Sequence, residues 1–206
     1  MIPTPEQVVP LLGTAPEKLY NGLRKGISYA DSLQPEPTKA DPYFWAAGAR
    51  FKALDDLKRQ DDEGWIVRPG IPNCGIHLMI RAVHKARVVK AYDGALPSPG
   101  RSHRRNRDYV GVQGRFVYDF GDGLPLPALS LLLDWQLDAE REPIVHLSLP
   151  EAPWPFGGDP MVHWRVRLAP GGSLALSELV WNPGSSDDGD VMVTVPIDPS
   201  ESDTAE

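Results

Sequence analysis

The apolar residues of this 206-residue chain change period part-way along, and that change limits the folds open to it. Near the start Leu19, Leu23, Ile27 and Ala30 recur at helical spacing, introduced by the capping-box pattern Thr14-x-x-Glu17 and stopped by Pro35 and Pro37. Asp41 followed by Pro42 is a cap with proline at the first helical position, and Phe44, Ala47, Phe51 and Leu54 make the next apolar stripe. From Tyr109 onward the period is two. Val110 and Val112, a Gln113-Gly114 turn and Phe116 to Tyr118 suggest a hairpin; Ile144 to Leu149 and Met161 to Leu168 suggest further strands. In the last of these Val162, Trp164, Val166 and Leu168 face one way and His163, Arg165 and Arg167 the other, the pattern of a half-buried antiparallel sheet. Leu129 to Leu133 fits either type. The expectation is an α+β fold: a helical N-terminal part (about residues 5–92) packed on or followed by a mostly antiparallel β-rich C-terminal part (about 108–197).

The segment from Cys74 to Tyr92 supports two readings. Wound as a helix, Leu78, Met79, Ala82, Val83, Ala86 and Val89 share one face and His77, Arg81, His84 and Lys85 the other, with Asp93-Gly94 as a stop. Read as strands, Ile76, Leu78, Ile80 and Ala82 alternate against His77, Met79 and Arg81, with a turn near His84 and Lys85. The two-sided pattern covers about five helical turns and the alternation only half that length, which favours the helix.

Hydrophobic residues at 41% and charged residues at 24% suit one globular α+β domain over 1–196, divisible at most into a helical 1–96 and a β-rich 108–196. Residues 197–206 read as a disordered acidic tail, within a stretch from Leu168 to the end that has eight acids and no lysine or arginine. No run approaches the ~18 apolar residues of a membrane span, and the N-terminus lacks the features of a signal peptide. A cytoplasmic protein is expected. Cys74, the single cysteine, excludes an internal disulfide and reads as a small buried hydrophobe.

Function is most visible in the charge. The formal net charge is −7, yet Arg81, Lys85, Arg87, Lys90, Arg101, Arg104, Arg105 and Arg107 fall within 27 residues that hold one acid, Asp93. That stretch carries +7 and the other 179 residues −14. Such sorting points to an anionic partner, or to pairing with the chain's own acids, such as Asp61, Asp62, Glu63 or the tail. The leading expectation is a soluble binding protein for an anionic polymer, nucleic acid first. Arg101, His103, Arg104, Arg105 and Arg107 form a phosphate-contacting arm, and Arg81, His84 and Lys85 extend its track. The first alternative is a protein-interaction or regulatory module in which the arm docks an acidic protein and Trp154, bracketed by prolines, is an exposed anchor or else a lid on the sheet. The second is a metal-dependent phosphoesterase or nuclease using Asp119 and Asp122.

Other constellations are weaker. Cys74, His77 and His84 superficially resemble metal ligands, but no second cysteine pair completes a zinc set. Asp119-Phe120-Gly121 copies a kinase triplet without the elements that should precede it, and no nucleophile elbow, phosphate loop or dinucleotide fingerprint occurs. His146 and His163 would meet across a sheet face only if their strands pair suitably. No catalytic residue, metal or cofactor is assigned, and the sequence does not set the oligomeric state.

Overall fold

Each long helix starts where the local chemistry requires. In the computed structural model, which describes residues 2–34, 41–60, 64–68, 75–91, 95–98, 103–110, 117–118, 126–155 and 158–180, the chain opens with α1 (Pro5–Val8) and a 3₁₀ turn (Val9–Leu12). Helix α2 (Ala15–Leu33) buries Leu19, Leu23, Ile27 and Ala30 as their spacing requires. The Thr14 hydroxyl does not cap it; it accepts a hydrogen bond from Trp65 Nε1 at 3.0 Å, so this threonine fastens a strand. Helix α3 (Pro42–Lys58) is capped by Asp41, whose carboxylate accepts from the amides of Tyr43 and Phe44. Its buried face is Trp45, Ala46, Ala49, Ala53 and Leu57 rather than the Phe44–Phe51 stripe. Small residues win that face because α2 presses on it through Gly22 and Gly26.

Strands β1 (Trp65–Val67), β2 (Ile76–Ile80), β3 (His84–Lys90), β6 (Ser130–Leu137), β7 (Pro143–Pro150), β8 (Val162–Leu168) and β9 (Leu174–Val180) form one sheet in the order β1-β2-β3-β6-β7-β8-β9. Every neighbouring pair is antiparallel except β3 and β6. Their crossover carries α4 (His103–Val110) and a small ladder of β4 (Val117–Tyr118) with β5 (Leu126–Pro127). The α+β class and the helices-first order therefore hold. The residues expected as a polar arm form α4 where they are described, and Leu129 to Leu133 enters a strand.

The helix favoured for Cys74 to Tyr92 is overturned. Residues 76–80 and 84–90 pair as a hairpin, Ile76 opposite Val88 and Ile80 opposite His84, with the turn at Arg81–Val83. Burial decides it: Ile76, Leu78, Ile80, Ala86 and Val88 all enter the core, whereas the helical set would have used Met79, Ala82 and Val89, none of them buried. The turn places Arg81 (φ 47) and Ala82 (φ 57) in the left-handed region. That costs roughly 1 kcal/mol or more per residue, which the burial of three large aliphatic side chains exceeds.

One core lies between α2, α3 and the sheet, with Leu131, Leu133, Trp135, Val145, Leu147, Leu149 and Val166 as its floor. A smaller cluster of Leu96, Tyr109, Val110, Leu132 and Trp154 lies on the opposite face. Among the described residues no helix is long and apolar enough to cross a membrane.

Candidate functional site

Strand alternation sends every second side chain away from the helices, and these residues make a polar floor. Register brings His77 beside Arg87 and Met79 beside Lys85, and Arg68 follows β1, its amide donating to the His77 carbonyl at 2.8 Å. Helix α4 leans on this floor through Tyr109. Its hydroxyl donates to the Leu131 carbonyl, burial holds its pKa above the ordinary phenol value, and Lys85 Nζ stands 5.4 Å from the ring centroid.

The electrostatics of this corner are one-sided. Burial first, then the cations Arg87, Arg68 and Lys85, push the His77 imidazole down to about 4. Burial, then Arg68, lowers the Lys85 ammonium. No acid among the described residues perturbs either. Arg104, Arg105 and Arg107 of α4 are exposed. A buried acid does lie on the same face: Asp134 is 0% exposed, opposite His146 in the β6–β7 register. Arg165 claims it from β8 in fork geometry, Nε to Oδ1 at 3.2 Å and Nη2 to Oδ2 at 2.5 Å, with His146 Nδ1 3.4 Å from the same Oδ2. Asp134 is thereby spent on Arg165.

The structure rearranges the expected site. Lys85 lies on β3, the arginines Arg104, Arg105 and Arg107 on α4, Arg81 in the hairpin turn, and Arg101 outside the described residues. His103 opens α4. His84 must be removed from the track: it is fully buried on the helix side, where its Nδ1 accepts from the Leu129 amide at 3.3 Å. Burial and Arg81 hold it at about 4, hence neutral. Trp154 is not an exposed anchor but 1% exposed, a lid in the second cluster. Arg68, His77 and Arg87 are the additions; reading 76–90 as alternating strands is the signal that would have found His77 and Arg87, while Arg68 arrives only through the pairing of β1 with β2. His77 and His84 point to opposite faces and Cys74 lies outside the described residues, as do Asp119 and Asp122. Among the described residues no three potential ligands gather for a metal. His146 and His163 do not meet, because Arg167 is opposite His146 and His163 lies four residues away along β8.

His77 and His84 make the fold acid-sensitive. Their folded pKa values of about 4 lie below the unfolded value near 6.5, so below pH 6.5 the unfolded chain binds more protons. Stability is fully present above about pH 6.5 and is lost as pH falls toward 4, by on the order of 3 kcal/mol for the fully buried His84. Urea midpoints measured across that range should fall accordingly, and His84→Gln should flatten the dependence.

No protein-family model, curated protein or solved structure matches the chain.

Proposed function

We propose that the protein binds nucleic acid through phosphate contacts to the cationic face built by Arg68, His77, Lys85, Arg87 and the arginines of α4. What carries this reading is the register that sets His77 beside Arg87 and Met79 beside Lys85, with Arg68 joined to His77 from β1, so that three cations gather round one imidazole. Cations gathered on one face raise the local potential and attract a polyanion, and phosphates supply the complementary charge. A net charge of −7 on the whole molecule repels a polyanion elsewhere and orients it to this face. Phosphate contacts carry no base preference, so binding is tolerant of sequence. Docking an acidic protein would have used Trp154, which is buried.

The measurement is fluorescence anisotropy of mixed-sequence DNA and RNA oligonucleotides across a salt series. With about four phosphates engaged, affinity should fall roughly a hundredfold between about 50 and 200 mM salt. Arg68, Lys85 and Arg107 make no ion pair with a described residue, and the triple variant Arg68→Gln/Lys85→Gln/Arg107→Gln should lower the salt slope by about three. Absence of binding at low salt, or a slope the triple variant leaves unchanged, overturns the proposal. A bound phosphate raises the His77 pKa from about 4, so binding takes up a proton and affinity rises as pH falls below neutrality. His77→Gln should remove that rise.

A further inference from the structure

The cations of this chain divide by whether the fold around them supplies an acid. On the helix side Arg24 holds Glu142 at 2.8 Å, Lys25 holds Asp56 at 2.7 Å and Arg141 holds Asp31 at 2.5 Å. On the cationic side Arg68, Lys85 and Arg107 make no ion pair with a described residue. A surplus of acid follows the last described strand. Residues 181–206, which lie outside the described residues, hold seven acids and no lysine, arginine or histidine.

The sheet register fixes where that segment sets out. Val180 is opposite Arg165, Arg165 opposite Ser148, Ser148 opposite Leu132, Leu132 opposite Arg87 and Arg87 opposite His77. One row therefore runs from the end of β9 into the cationic face, about 19 Å to Arg87 and about 24 Å to His77 at the usual strand spacing. Asp187 to Asp190 stand seven to ten residues beyond Val180, and an extended chain carries them at most roughly 25–36 Å; from Asp198 onward the limit is about 60 Å or more. The longer reach leaves slack to pass over Trp154 and Tyr109, which pack with Leu132 in that row.

We infer that the acids of 187–206 seat on the cationic face of their own molecule and compete there with nucleic acid. The contact stands on charge and reach, and its regulatory consequence rests on the nucleic-acid reading above. A tethered segment meets its site at an effective concentration on the order of 1 mM. A contact with a dissociation constant of about 0.1 mM as separate pieces would then lower the apparent affinity for a polyanion about tenfold.

Carbodiimide, which joins a carboxylate to a lysine amine where the two touch, tests the contact on the full chain. Lys85 should couple within the monomer to a carboxylate of 187–206, and a saturating mixed-sequence oligonucleotide at low salt should suppress the link. Lys18 and Lys58, on the helices across the sheet, should form none. The variant Asp198→Asn/Glu201→Gln/Asp203→Asn/Glu206→Gln should bind the oligonucleotide about tenfold more tightly at about 50 mM salt. Glu17→Gln/Glu140→Gln/Glu151→Gln/Asp159→Asn makes the same change in net charge at exposed positions and should stay within about threefold of the parent. The inference is overturned by the absence of a link from Lys85 to the segment, by a link to Asp61, Asp62 or Glu63 in its place, or by equal tightening in both variants. A Lys85 link with no oligonucleotide binding by any of the three proteins would support the contact and sink the nucleic-acid reading.

Discussion

Arg165→Met should cost about 3–5 kcal/mol, a large part of the roughly 5–15 kcal/mol that holds a domain of this kind together. The loss comes from what stays behind. Asp134 is fully buried, and its two carboxylate oxygens are held by the Nε and Nη2 of one guanidinium. Without Arg165, what stands beside the carboxylate among the described residues is His146, at 3.4 Å, which serves as a counter-ion only after taking up a proton. A buried charge without compensation is the expensive state, whereas an apolar pair of similar volume is often neutral. The double variant Asp134→Leu/Arg165→Met should therefore recover most of the lost stability, because Leu132 and Val89 already provide apolar neighbours on that face. Urea unfolding followed by tryptophan fluorescence measures both, and a single variant within 1 kcal/mol of the parent would show that water reaches Asp134 readily.

Gly26→Ala is the second large effect. A methyl built on Gly26 would stand 2.2 Å from the carbonyl oxygen of Ala49 and 3.0 Å from its carbon, so α2 and α3 would have to part. Alanine gains about 1 kcal/mol of helix propensity over glycine, but overpacking against a backbone costs up to about 3 kcal/mol or more. Net destabilisation of at least 2 kcal/mol is expected. Gly22→Ala is the control. Its methyl meets the Ala53 carbonyl at 3.3 Å, a contact relieved by a few tenths of an ångström, and it should be close to neutral. Because the oxygen at position 49 belongs to the main chain, Ala49→Gly should not rescue Gly26→Ala, which separates this clash from ordinary side-chain crowding.

The helix starts at Asp41 and Pro42 and the buried row Leu19, Leu23, Ile27 and Ala30 were legible because caps and helical spacing are local properties. So were β7 and β8, where Val145, Leu147 and Leu149 alternate with His146 and Ser148, and Val162, Trp164, Val166 and Leu168 with His163, Arg165 and Arg167. Two features were not. In residues 76–90, Leu78 and Ala86 are apolar under both periods, and neighbouring strands, which local pattern does not report, decide between them. In α3 the bulkiest residues suggested the core side, but the space left by Gly22 and Gly26 admits alanine there and turns Phe44 and Phe51 out. The charge sorting marked the stretch 81–107 as the place to look for an anion-binding face. Its membership needed the register, since Arg68 and His77 join Lys85 and Arg87 only across paired strands.

The single parallel joint between β3 and β6 governs how the chain comes together during synthesis. Helices α2 and α3 leave the ribosome before the sheet, and much of the surface they rest on, including Leu131, Leu133, Trp135, Val145 and Leu147, is made only after the crossover has passed. Until then the nascent helices have only β1 to β3 to cover their apolar faces, and the strands that finish the surface are a local meander that zips without long loops. A truncated transcript ending before residue 130 would therefore yield a sticky fragment, not a smaller working protein.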